Sequence, residues 1–170
     1  MMIHLISATS KEDALLLNQL ATKIWQEHYI PIIGADQVSY MLTHLQSADK
    51  MFQDIQSGMT YYLIQVIKAD GTKEWAGYAG FEIKADHLFL SKLYVLADFR
   101  QHGIGSFVFQ HILKEAKSSN LPAIQLTVNK YNDKSIAAYQ KMGFTTIKEQ
   151  VADIGGGYVM DDYVMEYRIS

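Results

Sequence analysis

The strongest constraint on the fold of this chain is the run LFLSKLYV, residues 88–95, which is apolar at almost every position. A strand with one face in water alternates polar and apolar residues, whereas a nearly continuous apolar strand is covered on both faces. We therefore expect residues 88–95 to form a central strand of a sheet that has helices on both sides.

The next segment, DFRQHGIGSFVFQHILKEA at residues 98–116, predicts a helix whose first turn carries two glycines. The apolar stripe that can face the sheet consists of Phe107, Ile112, Leu113 and Ala116. Each glycine costs a helix about 1 kcal/mol relative to alanine. Because the N–H groups of a helix N-terminus bind anions, Gly103 and Gly105 indicate a turn that a phosphate approaches closely.

The glycine spacing excludes two common phosphate sites. Val108 occupies the position of the third glycine of a dinucleotide-binding GxGxxG motif, and no Gly-Lys-Ser/Thr follows for a P-loop. The alternative to an anion site is that Gly103 serves only a left-handed turn. The loop therefore indicates a phosphate without identifying the molecule that carries it.

Composition limits the function classes. The 170 residues, 49% of them hydrophobic, predict a single domain over residues 1–170, and the net charge of -3 with scattered Lys and Arg argues against nucleic acid. The absence of cysteine excludes disulfides and thiolate ligands. The six histidines form no i,i+4 pair, so we expect no metal site. With no long apolar segment, we expect no membrane partner and a cytoplasmic location.

The periodicities predict the order β-α-α-(α)-β-β-β-α-β-α-β-β. Thr9 with Glu12 resembles a capping box for the first helix, residues 30–34 interrupt the helical pattern, and Ser47 caps a third helix. A three-strand antiparallel meander follows, and Gly143 ends a helix that begins at about Asp133. The closing hairpin surrounds the glycines at 155–157.

Two segments, together with the predicted order of strands and helices, resemble the GNAT N-acetyltransferases. RQHGIG at residues 100–105 is similar to the family's Arg/Gln-x-x-Gly-x-Gly/Ala signature and follows a strand that ends in LYV. Downstream, Asn132 and a helix with Tyr139, Gly143 and Phe144 resemble the second family marker. The resemblance implies an α/β acyl-CoA N-acyltransferase fold with a mixed, mostly antiparallel central sheet flanked by helices.

The resemblance also implies that acetyl-CoA is the cosubstrate. Its pantetheine would pair with the strand backbone at Leu93, Tyr94 and Val95, and Asn132 would hold the same arm. Its pyrophosphate would be bound by the segment Arg100, Gln101, His102, Gly103, Ile104, Gly105 and Ser106. His102 departs from the Lys or Arg that relatives often carry, so a fixed positive charge is absent at that position.

For catalysis, the resemblance assigns Tyr139 as the general acid that protonates or stabilises the departing thiolate. The alternative is that its ring only packs in the core. The central strand lacks the acidic residue of many relatives and offers only Ser91 and Lys92. We take Glu82, on the neighbouring strand, as the candidate base, the alternative being an ordinary exposed strand carboxylate.

The acceptor amine is expected to meet the first helices and the last hairpin. Candidate substrate-binding residues are Trp25, Glu27, Tyr29, Asp161 and Asp162, with Asp153, Tyr158 and Met160 nearby in sequence. These segments resemble the PaiA-type branch of the family, which is associated with spermidine and spermine. The alternatives are a protein N-terminus or lysine as acceptor, or a regulatory module that binds acyl-CoA without turnover. A homodimer is one option for the assembly, which the sequence does not fix.

Overall fold

A computed structural model describes all residues from Met1 to Ser170. The seven strands are β1 Met2–Ser7, β2 Thr60–Ile67, β3 Lys73–Ile83, β4 Leu88–Val95, β5 Ala123–Asn129, β6 Thr145–Gly155 and β7 Tyr158–Arg168. The helices are α1 Lys11–His28, α2 Ile30–Ile33, α3 Ala35–His44, α4 Ala48–Gln56, α5 Ile104–Ser118 and α6 Asp133–Met142, with a 3-10 turn at Ala97–Phe99. The predicted element order agrees with the structure except that an additional one-turn helix, α2, follows α1.

The strands form one mixed sheet in the order β1-β2-β3-β4-β5-β7-β6. The pairs β1–β2, β2–β3, β5–β7 and β6–β7 are antiparallel. Strand β4 pairs with β5 in parallel, through Leu88 with Ile124 and Phe89 with Gln125. The α/β fold with a mostly antiparallel sheet is thus as predicted, and the apolar strand β4 is the fourth of seven.

The chain divides into two compact units, and both β4 and α5 contribute to each of them. The first unit contains Met1–Glu82 and Lys92–Gln110, and the second contains Ile83–Ser91 and His111–Ser170. Buried residues of the first unit include Leu17, Ile24, Met51, Leu63 and Tyr78. Those of the second include Leu88, Ile112, Ile124, Phe144 and Met165.

The start of α1 differs from the prediction by one residue. Ser10, not Thr9, is the N-cap, and its hydroxyl accepts from the Asp13 N–H at 3.1 Å. The Asp13 carboxylate in turn accepts from the N–H groups of Thr9 and Ser10, at 2.9 and 3.1 Å. These bonds lower the pKa of Asp13, the one from Thr9 most. A carboxylate that accepts two backbone donors outcompetes the Thr9–Glu12 alternative.

Two further expectations need correction. Phe107 is 45% exposed, so it does not face the sheet, and α5 instead buries Ile104, Val108 and Phe109 in its first turns. The predicted interruption after α1 is a one-turn helix, α2, which has a proline in its first turn and ends at Gly34, where φ is +87°. Ser47 and Gly143 act as predicted: Ser47 caps α4, and Gly143 ends α6 with φ at +111°.

None of the helices is both long enough and apolar enough to cross a membrane.

Candidate functional site

The turn between β4 and α5 has the backbone that the two glycines predict. Gln101 and Gly103 have φ of +63° and +76°, and the Gly103 carbonyl accepts from the Phe107 N–H at 3.0 Å. Because that is the first bond of the helix, the N–H groups of Ile104, Gly105 and Ser106 have no carbonyl one turn earlier to bond. Such a first turn can bind a phosphate.

The backbone conformation at position 103 requires glycine, and the residue also leaves open space beside the turn. Its positive φ is strained for any residue with a Cβ, and a Cβ there would have no heavy atom within 4 Å. The left-handed turn that was the alternative to an anion site is therefore present, and it coexists with open space beside the helix N-terminus. The two interpretations of Gly103 are compatible, and the turn fits a phosphate-bearing ligand.

Arg100 connects this turn to the end of β4. Its Nε donates to the Val95 carbonyl at 3.0 Å, and the guanidinium is partly buried. Gln101, His102 and Gly103, which follow it, are exposed. Arg100 thus fixes the path of the turn, and the next three residues are open to solvent.

The end of β4 lies unusually close to β3. A Cβ at Gly77 would overlap the Tyr94 carbonyl oxygen and lie 3.0 Å from the Val95 Cα. The Leu96 N–H donates to the Ala76 carbonyl at 2.8 Å, so the two backbones stay bonded beyond the strand end. Leu93, Tyr94 and Val95, the predicted pantetheine-binding residues, are half-buried.

Two of the predicted acceptor residues lie in the core of the first unit. Trp25 and Tyr29 stack at 4.2 Å between ring centroids and both are buried. The Trp25 Nε1 donates to the Tyr78 hydroxyl at 3.4 Å, and that hydroxyl donates to Gln46 at 3.2 Å. Tyr94 contacts the rings of Trp25 and Tyr29 edge to face. The rings of Trp25 and Tyr29 are thus packed in the core, whereas the third predicted acceptor residue of this unit, Glu27, is exposed on α1.

A buried lysine in the first unit was not among the sequence-based site residues. Lys92, on β4, is 9% exposed, and its Nζ donates to the Tyr61 hydroxyl at 2.8 Å. Tyr61 donates to Asp54 at 3.0 Å, and Asp54 pairs with Lys50 at 2.6 Å. Burial lowers the pKa of Lys92 to about 8. The available signal was a charged residue inside an apolar strand, which needs a partner when buried.

Glu82, the candidate base, is half-buried at the second-last position of β3 and belongs to the first unit.

In the second unit, Asn132 is the N-cap of α6. Its Oδ1 accepts from the Ser135 N–H at 3.4 Å, and its own N–H donates to the Asn129 carbonyl at 3.0 Å. Asn132 is 2% exposed. The predicted pantetheine-binding side chain therefore also begins a helix, which fixes its position.

Tyr139 lies two turns further along α6 and is half-buried. Its ring contacts Phe144 edge to face at 5.6 Å, and Phe144 contacts Tyr167 at 5.7 Å. The left-handed turn at Gly143 brings Phe144 back against the helix, and the Phe144 N–H donates to the Tyr139 carbonyl at 3.0 Å. A Cβ at Gly143 would lie 3.0 Å from the Tyr167 ring. Packing thus orients the Tyr139 ring, as a catalytic phenol would require.

Asp161 and Asp162 occupy adjacent positions of β7 and face opposite sides of it. Asp161 pairs with Lys130 at 2.8 Å. Asp162 is 3% exposed, and its Oδ1 accepts no hydrogen bond. Burial, helped by the charge of Asp161 and opposed by Lys130, raises the pKa of Asp162 to about 6. Asp162 is therefore a buried carboxylate with an unused acceptor, unlike a solvated turn residue.

The structure thus groups the candidates by unit. Glu27, Glu82, the β4 end and the glycine turn belong to the first unit, with the buried rings of Trp25 and Tyr29. Asn132, Tyr139, Asp161 and Asp162 belong to the second. No group of three His, Cys, Asp or Glu side chains is placed to hold a metal ion.

Comparison with known proteins agrees with this fold. Residues 21–144 match the family model described as Acetyltransferase (GNAT) family. Among solved structures, the chain is similar to the PaiA N-acetyltransferase from Thermoplasma acidophilum in complex with coenzyme A. The TM-score is 0.79 at 23% identity, over 99% of this chain and 100% of that one.

Two further structures show the same fold at lower identity. A GCN5-related N-acetyltransferase from Rhodopseudomonas palustris has a TM-score of 0.74 at 15% identity, over 99% of this chain and 95% of that one. The ribosomal-protein-S18-alanine N-acetyltransferase from Escherichia coli has a TM-score of 0.66 at 17% identity, over 99% and 93%.

Proposed function

The chain belongs to the GNAT acetyltransferase family and is an acetyl-CoA-dependent N-acetyltransferase, and on this premise we propose that it acetylates a primary amine of a small polyamine-like molecule with Tyr139 as general acid. The observation that carries the proposal is the turn at 101–106. A left-handed Gly103 precedes free first-turn N–H groups beside open space. This backbone suits a pyrophosphate, and two or three bonds to it at about 1.5–3 kcal/mol each would hold CoA.

The strand end supplies the second part of the cosubstrate site. Leu93, Tyr94 and Val95 are only half-buried although β4 is central in the sheet, and an extended pantetheine arm can use their backbone groups. Asn132 would hold the same arm with its side-chain amide, while its Oδ1 caps α6 and fixes the position of the side chain.

In the reaction we propose, the amine nitrogen bonds to the acetyl carbon while the carbon–sulfur bond breaks. Tyr139 then gives its phenol proton to the departing sulfur. The ring contact with Phe144 holds the phenol in one orientation, which supports this role. The amine must also lose a proton, and Glu82, near the end of β3, is the candidate acceptor from the sequence.

The acidic residues support a cationic acceptor. Asp162 has an unused oxygen in a buried environment, and an ammonium group is the partner that such a carboxylate lacks. Glu27 is exposed and adds negative charge that a second ammonium group of a polyamine could meet, whereas such a group would have to compete with Lys130 for Asp161. One protein of similar fold is a PaiA N-acetyltransferase, while another acts on the alanine of a ribosomal protein, so a protein N-terminus is the second candidate acceptor.

The test is a steady-state assay of CoA thiol release with purified full-length protein. Spermidine, spermine, a lysine peptide and a peptide with N-terminal alanine are compared, with acetyl-CoA alone as the blank. We expect the highest kcat/KM with a polyamine. Preference for the alanine peptide would move the function to protein N-termini. Acetyl-CoA binding by calorimetry without turnover of any amine would indicate a regulatory module.

A further inference from the structure

Lys92 is the charged residue that the proposed mechanism leaves unused. It lies on β4 next to Leu93, where the predicted pantetheine-binding segment begins, and its side chain is buried. Tyr61 accepts the one side-chain hydrogen bond that Lys92 donates, at 2.8 Å. The Lys92 Nζ also lies 5.2 Å from the centroid of the Tyr61 ring. An ammonium group with a single acceptor is poorly compensated for its burial.

A chain of hydrogen bonds leads from Lys92 towards solvent. The Tyr61 hydroxyl donates to Asp54 Oδ2 at 3.0 Å, and Asp54 Oδ1 pairs with Lys50 at 2.6 Å. The Asp54 side chain is 16% exposed and that of Lys50 is 43% exposed. Lys92 donates to Tyr61 and Tyr61 donates to Asp54, which also accepts from Lys50. The chain therefore runs from the middle of the sheet to the surface of α4 and ends on the Asp54 carboxylate.

A glycine on the intervening strand makes room for this chain. Tyr61 on β2 is paired in register with Gly80 on β3, and β4 is the next strand. A Cβ at Gly80 would lie 3.0 Å from the Tyr61 Cε1. The tyrosine ring crosses β3 at Gly80, where no side chain stands, and this crossing brings its hydroxyl to Lys92.

The charges around Lys92 favour a reversible change of protonation. Tyr61 from β2 accepts the hydrogen bond of Lys92, and Asp54 and Lys50 from α4 act on its charge. Tyr78 from β3 acts on Tyr61. Burial lowers the pKa of Lys92 to about 8, with Asp54 opposing and Lys50 adding to the shift. Burial raises the pKa of both tyrosines, so they remain phenols. At neutral pH the neutral fraction of Lys92 is then about 200-fold that of an ordinary lysine.

We propose that Lys92 is a catalytic base that takes the proton of the incoming ammonium group, and that Tyr61 and Asp54 pass that proton to solvent. This inference rests on the proposed acetyltransferase function. An ammonium N–H bond breaks and the proton binds the neutral Lys92 Nζ. The freed lone pair bonds to the acetyl carbon, and the carbon–sulfur electron pair leaves with sulfur, which Tyr139 protonates. The attacking nitrogen gives up its second proton, which restores the Tyr139 phenol.

The base is then restored along the chain. Lys92 gives its proton to the Tyr61 oxygen as the Tyr61 hydroxyl proton moves to Asp54, which releases it to water. Each turnover thus exports one proton, as the conversion of an ammonium and a thioester into an amide and a thiol requires. Lys92 and Glu82 are therefore alternative candidates for the base that accepts the proton of the incoming ammonium group.

The experiment measures kcat/KM from about pH 6 to about pH 10 for wild-type protein, Lys92→Arg, Lys92→Met, Tyr61→Phe and Glu82→Gln. Arginine keeps the charge but cannot release a proton, and methionine fills the space without charge. Lys117→Arg, an exposed lysine on α5, is the matched control. Acetyl-CoA affinity and the unfolding midpoint are measured for every variant.

We expect both Lys92 variants to lose about 10²-fold or more in kcat/KM near neutral pH while still binding acetyl-CoA. The wild-type rate should level off above about pH 8, whereas both variants should keep rising as the free amine accumulates. Tyr61→Phe should lose less kcat/KM than the Lys92 variants, since Lys92 remains as the base. Only the hydroxyl that passes the proton on to Asp54 is removed.

Three results would overturn the proposal. If Lys92→Arg keeps the wild-type rate and pH profile, Lys92 is structural. If Glu82→Gln removes the bend near pH 8 and the Lys92 variants retain it, Glu82 is the base. Absence of wild-type turnover with every amine removes the acetyltransferase proposal and this one together.

Discussion

Gly77 of β3 lies so close to Tyr94 of β4 that a Cβ at position 77 would overlap the Tyr94 carbonyl oxygen. The atoms in the way are backbone atoms, and the Val95 Cα is also only 3.0 Å from that position. Side chains can rotate away from a new methyl group, but a hydrogen-bonded strand cannot. The path of β4 beside the glycine turn therefore depends on the absence of one methyl group on its neighbour.

Gly77→Ala should shift the end of β4 and weaken acetyl-CoA binding at least tenfold, because Leu93, Tyr94 and Val95 are the proposed pantetheine-binding residues. Overpacking of this kind destabilises a protein by about 1–3 kcal/mol. Calorimetric titration with acetyl-CoA and urea unfolding measure the two effects. The comparison variant is Gly80→Ala, whose Cβ would meet the movable Tyr61 ring. Equal acetyl-CoA affinities in the two variants would contradict the special role of position 77.

Gly105→Val should abolish measurable acetyl-CoA binding while the fold persists, because its side chain would stand among the first-turn N–H groups of α5. Gln110→Val, on an exposed position of the same helix, is the control for the helix propensity of valine. Titration of both variants with acetyl-CoA decides the matter. A folded Gly105→Val variant with wild-type affinity would remove the anion-site argument.

Asn132 has two roles that substitution can separate. Asn132→Ala should lose about 1 kcal/mol of stability with the α6 cap and also raise KM for acetyl-CoA. Asn132→Asp keeps a capping oxygen but has no amide donor, so it should raise KM without the stability loss. Asn132 would bind the pantetheine arm of acetyl-CoA equally well in the ground state and the transition state. Its loss should therefore leave kcat near the wild-type value in both variants. A lower kcat at unchanged KM would contradict this assignment.

Tyr139→Phe removes one oxygen and keeps the ring against Phe144, so its stability should stay within about 0.5 kcal/mol of wild type. If the phenol protonates the departing sulfur, kcat should fall by about 10², the lower part of the usual range for a proton donor, because a thiolate is a tolerable leaving group. The decline of the wild-type rate at high pH should also vanish. If Tyr139→Phe keeps the wild-type kcat when the chemical step limits the rate, Tyr139 is a packing residue and not the general acid.

Asp162 makes stability depend on pH. Its pKa is about 6 in the folded protein, above the ordinary 3.8, so folding favours the protonated carboxyl and stability is lost as pH rises from about 4 through about 6. Asp162→Asn should therefore gain up to about 3 kcal/mol over wild type on going from about pH 4 to about pH 8. Urea unfolding at the two pH values measures the difference. A gain independent of pH would show that ionisation of Asp162 is not the cause.

Local sequence signals predicted most of the elements. The helix end at Gly143 and the cap at Ser47 follow from short-range chemistry that neighbouring residues determine. The Thr9 prediction was one residue off because two adjacent residues could both cap, and only the position of the Asp13 carboxylate distinguishes them. Phe107 was misplaced because an apolar stripe gives a helix face only to within about one residue.

The sequence predicted the part of the candidate site that consists of backbone, which is the glycine turn. It missed the part in which side chains from different strands and helices meet. The glycine turn is local, so the spacing of Gly103 and Gly105 was enough to predict its left-handed backbone but not its ligand. The partners of Lys92 could not be predicted, because Asp54 and Tyr61 are about thirty to forty positions earlier in the chain and meet it only through strand order and register. Likewise, burial of Trp25 and Tyr29 against Tyr94 depends on tertiary packing that an aromatic pattern does not encode.

The crossing of Tyr61 over Gly80 also constrains how this sequence can change during evolution. Since a Cβ at position 80 would lie only 3.0 Å from the Tyr61 ring, the sizes of the two residues are linked, and their substitutions should not be additive. A descendant that keeps the tyrosine can place a side chain at 80 only if the ring shifts, whereas one that first replaces Tyr61 with a small residue becomes free to place a side chain there. The order in which the two substitutions can be accepted is therefore set by a space the size of a methyl group.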